Sequence, residues 1–225
     1  MPSNALSKVL NELATAAQHV GAPVPRLLAV SKTRPAEDVR ALAAAGQLAF
    51  GENYVQEALA KQSALADLPL EWHLIGHLQT NKAREAAQHF AWVQTIDRMK
   101  LVDALAKHRP AGMPPLNVLI QVNIDDEDSK HGCQPAEIPE LANHINTFPG
   151  LRLRGLMAIP APSEDRNIRI RAFEAMRALY LELQSRQAGI DTLSMGMSED
   201  AALAITHGAT MVRVGRALFG DRPSK

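Results

Sequence analysis

The chain has one cysteine, Cys133, among 225 residues. A single thiol excludes an intrachain disulfide and any cysteine-built zinc site, and its scarcity suits a reducing compartment. Cys133 reads as a bystander in a polar loop. Excess charge is also missing, because 24 lysines and arginines balance 24 aspartates and glutamates. No net field draws the whole protein to nucleic acid or an anionic membrane, so any charge-based function must be local. No apolar run is long enough to cross a bilayer. The start, "MPSNALSKVLNELATAAQHVGAP", lacks a signal-peptide layout; Leu6, Val9, Leu10, Leu13 and Ala17 instead recur at helical spacing and predict an amphipathic helix. A soluble, cytoplasmic protein is expected. There is no P-loop, GxGxxG or GxSxG, no convincing metal-ligand spacing and no low-complexity linker.

What the chain does contain is alternation. Short runs rich in Val, Ile and Leu alternate with longer helical patterns, the signature of βα units around a parallel sheet. Strands are predicted at 26–32, 48–53, 71–78, 92–97, 116–124, 151–159, 192–197 and 211–219. Between them lie helical patterns such as "PAEDVRALAAAG", with Pro35 early in a first turn and Gly46 at a C-terminal stop. Eight parallel strands with helical crossovers imply an α/β fold, a single (β/α)8 TIM barrel using the whole chain, 1–225. Only "GDRPSK" follows the eighth strand, so the N-terminal helix is expected to cover the place of a full final helix. "DDEDSKHG" and "IPAPSEDRN" read as loops long enough to line a site.

In a parallel barrel the carboxyl ends of the strands form the active face. Lys32, Glu52, Asn53, His73, Gly76, Asp97, Asn123, Ser194, Gly196, Arg213 and Gly215 gather there. Lys32 follows the apolar run "LLAV". A free lysine, with a pKa of roughly 10.4, is neutral in only about one molecule in a few thousand at pH 7. A low-dielectric mouth would raise that fraction and make Lys32 a Schiff-base nucleophile; the plainer reading is a lysine snorkelling from the rim. In "TLSMGMSEDAALA", Ser194, Gly196 and Ser198 precede a helix starting near Glu199, a plausible phosphate cradle. Equally, Ser198 is a simple N-cap there. Arg213 stands between Val212 and Val214, where a guanidinium needs an acceptor, whether a ligand or a structural ion pair. Gly215 and Arg216 fall after strand eight, at the recurrent phosphate site of such barrels. His73 is as readily a core histidine as a pocket residue. An aldehyde-bearing, phosphorylated aromatic ligand satisfies Lys32, the strand-seven and strand-eight loops and Arg213 together, and pyridoxal 5′-phosphate (PLP) is one.

The segments "LLAVSKT", "FGENYVQE", "WHLIGHLQTNK", "LIQVN", "RGLMAI", "LSMGMSED" and "VRVGRALFG" closely resemble the pyridoxal phosphate homeostasis proteins, in order along nearly the whole chain. The resemblance implies a barrel like the N-terminal domain of alanine racemase, without that enzyme's C-terminal β domain. It further implies PLP on Lys32, Arg213 facing the pyridine nitrogen, Ser194, Gly196, Ser198 and Gly215 around the phosphate, and Asn53 beside the ring. Arg216 stands where many members carry Ser or Thr, which replaces a hydroxyl contact by a guanidinium or by the backbone N–H alone.

Binding PLP does not make an enzyme. Arginine cannot accept the ring proton and leaves the ring a poorer electron sink. A two-base racemase also needs a second acid/base, and the only tyrosines, Tyr54 and Tyr180, are not obvious replacements. The expectation is therefore a monomeric PLP carrier, without robust turnover, that limits free PLP and delivers it to apo-enzymes. A PLP-dependent racemase, a cofactor-free Schiff-base aldolase and a regulatory module are the competing readings.

Overall fold

Eight parallel strands close into a barrel: β1 (Arg26–Val30), β2 (Ala49–Glu52), β3 (Glu71–Leu74), β4 (Trp92–Ile96), β5 (Leu116–Gln121), β6 (Leu151–Met157), β7 (Thr192–Met197) and β8 (Met211–Val214). They follow sequence order around the ring, and β1 closes on β8 with Leu28 opposite Arg213. This computed structural model describes residues 2–125, 131–161, 163 and 165–220. Most of "DDEDSKHG", parts of "IPAPSEDRN" and the tail after Gly220 lie outside the described residues.

Around the strands run α1 (Pro2–His19), α2 (Ala36–Ala44), α3 (Val55–Ala64), α4 (Ala83–His89), α5 (Met99–His108), α6 (Ile138–Asn146), α7 (Arg166–Arg186), α8 (Ala201–Thr206) and α9 (Arg216–Phe219). Helix α1 packs on α2, α8 and α9, so it does cover the place of a full final helix. Its buried stripe is Leu6, Val9, Leu13 and Ala17. Fully burying a leucine or valine contributes about 1.5–3 kcal/mol, so this stripe anchors the helix. Leu10, expected on the stripe, is 42% exposed. No helix among the described residues is long and apolar enough to cross a membrane.

All eight predicted strands are present, each starting within a residue of its expected position but several ending earlier. The largest difference is at the eighth. The apolar run 217–219 looks like more strand, yet the chain turns helical at Arg216: the Leu218 and Phe219 N–H groups bond to Gly215 O at 3.0 Å. A helical turn buries Leu218 while leaving Arg216 outside. Cys133 also departs from expectation. It is 2% exposed and bridged to Val122, and burial pushes its thiol up to about 12.

Side chains alternate inward and outward along each strand. Leu28, Ala49, Ile75 and Met211 form one cluster within the ring and Trp92, Leu119 and Met157 another. The larger cluster lies between strands and helices. Gly155, on β6, has φ +147, and a Cβ there would meet Thr192 O at 1.9 Å. Only glycine lets β6 and β7 approach this closely.

Candidate functional site

A cavity of about 820 Å³ opens at the carboxyl ends of the strands. That volume lies in the upper range for organic ligands. Lys32, Asn53, Ser198, Arg213, Gly215 and Arg216 all line it, so six of the eight sequence candidates share one cavity. Ile159, Ala161 and Ser163 line it too, as expected of the "IPAPSEDRN" loop, together with Arg34 and Arg169, which the sequence did not single out.

Lys32 sits in a turn after β1, closed by a bond from the Arg34 N–H to Ser31 O at 3.0 Å. Thr33 adopts φ +63, a conformation that a β-branched side chain resists. A buried ionic clamp holds this turn. The Lys61 ammonium donates to Ser31 O at 2.6 Å, Glu52 Oε1 at 2.6 Å and Glu57 Oε1 at 2.7 Å. Ser31 Oγ donates to Glu52 at 2.5 Å, and the Thr33 N–H donates to Glu57 at 2.6 Å. Glu52 is therefore behind the mouth and not part of it. Burial raises its pKa, opposed by Lys61 and Ser31.

Arg213 points into the cavity from β8 and is 3% exposed. Its protein acceptors are neutral: Ser194 Oγ at 2.8 Å and Ala158 O at 2.7 Å. Among the described residues, the structural ion pair weighed from sequence is thus not formed. Burial pulls the guanidinium down to about 10, partly offset by Asp200, so at pH 7 it stays protonated. A buried cation without a direct carboxylate partner, facing a cavity, suits an electron-rich ring nitrogen.

Ser194 and Gly196 do not line the cavity. Ser194 is fully buried inside the ring, where its register faces the barrel axis, and its hydroxyl is used by Arg213 and by Gln94 Oε1 at 2.7 Å. Gly196, at φ +88, has a packing role, since a Cβ would meet the Ala204 Cβ at 2.5 Å. The cradle expected before α8 is also partly occupied: the Asp200 carboxylate accepts the Met197 N–H at 2.6 Å. Arg216 pairs with Glu199 at 3.0 Å, both largely exposed.

Behind Arg213 a polar chain crosses the barrel. Gln94 Nε2 lies 2.9 Å from His73 Nδ1, and His73 Nε2 is 2.5 Å from Glu71 Oε1, which also meets Arg26 at 2.6 Å. Burial lowers His73 to about 4, so it is neutral at pH 7. Burial alone would raise Glu71, but His73 and Arg26 hold it at about 2. His73 is therefore a core histidine, stacked on Trp92 at 5.0 Å.

Asp97, expected at the mouth, stands in a group that sequence spacing did not reveal. His77, Asp97 and His131 bring three ligand atoms within 4.8 Å of one another. The histidine rings stack at 3.7 Å and 13°, so their in-plane lone pairs run side by side without converging. Arg98 also donates to Asp97.

Residues 5–223 match the family "Alanine racemase, N-terminal domain". A curated relative from Pseudomonas aeruginosa, a pyridoxal phosphate homeostasis protein, is 53% identical over 96% of this chain and 94% of its own. PipY of Synechococcus elongatus PCC7942, solved with PLP bound, superposes with a TM-score of 0.86 at 36% identity, covering 98% of this chain and all of that one. Alanine racemase of Clostridium difficile 630 shares the barrel at a TM-score of 0.71 and 14% identity, with this chain spanning 58% of its length. The match in sequence, barrel and coverage places this chain in the pyridoxal phosphate homeostasis protein family.

Proposed function

We propose that the protein binds PLP in this cavity, holds its aldehyde covalently on Lys32, and acts in PLP homeostasis as a carrier. The observation that carries this reading is the buried Arg213 guanidinium, whose acceptors among the described residues are neutral, lining the same cavity as Lys32. The relatives' names and the PLP-bound PipY support it.

When bound, PLP supplies an aldehyde that captures amines and a ring that withdraws electrons. The residues of this chain temper that chemistry. Lys32 is the amine nucleophile, presented by a turn that Lys61, Glu52 and Glu57 pin from behind. Arg213 would donate to the ring nitrogen while keeping its own proton, which would leave the ring a weak electron sink. Asn53 would hold the ring side, and Ser198, Gly215 and Arg216, which line the same cavity, would hold the phosphate. Tyr180 is buried and bonded to Gln184, and Tyr54 is 62% exposed and outside the cavity wall. Neither lines the cavity. This arrangement supports storage and release over turnover. The recipients are apo forms of PLP enzymes, and the protein works as a monomer in the cytoplasm.

PLP-loaded protein is mixed with an apo-transaminase, and separately with alanine, serine and lysine. Restored transaminase activity, with no racemisation or decarboxylation of the amino acids, is expected. Amino-acid turnover that vanishes in Lys32→Ala would overturn the carrier reading in favour of an enzyme.

A further inference from the structure

The polar chain behind Arg213 has a direction. Arg213 can only donate, so Ser194 Oγ accepts from it and sends its own hydrogen to Gln94 Oε1. That leaves the Gln94 amide nitrogen facing His73 Nδ1, which must accept. His73 then carries its hydrogen on Nε2 and donates it to Glu71. Glu71, held ionised by Arg26, cannot receive a lone pair, so no other tautomer fits. A flipped Gln94 amide would set its carbonyl against His73 Nδ1, turn His73 Nε2 toward the carboxylate as a bare lone pair, and leave the Ser194 hydroxyl without an acceptor.

From this geometry we infer that Gln94 is a positioning residue: it transmits the fixed orientation of the His73–Glu71 pair through Ser194 and so aims the Arg213 guanidinium at the ring nitrogen of the ligand. The inference rests on the PLP reading and deepens it. Gln94, Ser194 and His73 are fully buried, so no solvent competes for these bonds. A buried amide that bonds at both ends has one satisfactory orientation, and bonded chains of this kind polarise one another. Two of the five Arg213 N–H donors go to Ser194 and Ala158, which sets the plane of the fork and leaves the others toward the cavity. Without Gln94 nothing holds the Ser194 hydrogen away from Arg213, so one of the two anchors of that plane is weakened.

The test separates aim from general structure by changing the ligand as well as the protein. Dissociation constants are measured for PLP and for its analogue with carbon in place of the ring nitrogen, using wild type, Gln94→Met and Ser194→Ala. Circular dichroism checks that each variant folds. Wild type is expected to prefer PLP by about tenfold or more, the range of a hydrogen bond to a charged group. In both variants that preference should fall below about threefold, while affinity for the analogue stays within about twofold of wild type. Equal weakening toward both ligands, or an undiminished preference in the variants, overturns the inference and makes Gln94 a packing residue. Wild type that binds PLP without preferring it to the analogue also overturns it, and leaves the capture of PLP by Lys32 standing. Wild type that takes up neither ligand sinks the PLP reading itself, and the inference with it.

Discussion

Replacing Lys61 by methionine tests the clamp beneath Lys32. The Lys61 ammonium is nearly buried and bonds to two carboxylates and one carbonyl. Methionine keeps most of the volume and removes the charge. Glu52, fully buried, then retains only the Ser31 hydroxyl as a donor, and its Oε2 already lacks a partner. Breaking a buried ion pair in this way costs about 3–5 kcal/mol. The protein has one escape, which is to protonate Glu52. For a carboxyl with an ordinary pKa near 4.5, that costs about 3.4 kcal/mol at pH 7, at 1.36 kcal/mol per unit. The deficit should therefore lie near 3 kcal/mol at pH 7. Because the folded variant holds a proton that the unfolded chain does not, its stability falls as pH rises. The deficit relative to wild type should shrink by roughly 1.4 kcal/mol for each pH unit of acidification toward the ordinary carboxyl pKa. Urea unfolding of both proteins at pH 5.5 and 7.5 measures this directly. A deficit below about 1 kcal/mol, or one equal at both pH values, would refute the reasoning, since a simple packing defect does not depend on pH.

Other outcomes follow from the interior. His73 falls from 6.5 to about 4 on folding, so between those values the unfolded chain binds a proton that the folded one refuses. Wild-type stability should drop on acidification through that window, and His73→Gln should flatten the slope there in a pH series of unfolding midpoints. Gly155→Ala sets a Cβ at 1.9 Å from Thr192 O at a φ of +147, and should cost more than about 4 kcal/mol or prevent folding, as read by thermal unfolding or soluble yield. Cys133, buried and raised to about 12, should react with a thiol reagent at pH 8 only as fast as the protein opens, and rapidly in denaturant.

The strands were legible because runs such as "RLLAV" and "MVRV" are too apolar and too short for anything but buried strands. Their carboxyl ends were not, since glycine-containing apolar stretches such as 215–219 suit either a strand or a turn of helix. Lys32 and Arg213 stood out for one reason: each is a charge set against an apolar strand. Gln94 in "WVQTI" breaks its strand in the same way, but a neutral amide gave too weak a signal to single out. The surroundings of Ser194 were not legible, because a hydroxyl beside a glycine suggests a phosphate cradle, whereas barrel register sets it inward beside Met157 and Met211. The Lys61 clamp joins α3 to a turn 30 residues earlier in the chain, and no local pattern reports such a contact.

The central claim is that Lys32 holds the aldehyde of PLP. Wild type and Lys32→Ala are each incubated with PLP, reduced with borohydride, digested and mapped by mass spectrometry. A pyridoxyl group on Lys32 in wild type, with no comparable modification at any site in the variant, is the expected result. Equal labelling of wild type and variant, or labelling scattered over exposed lysines alone, would contradict the account and return Lys32 to the rim of the barrel as an ordinary solvated lysine.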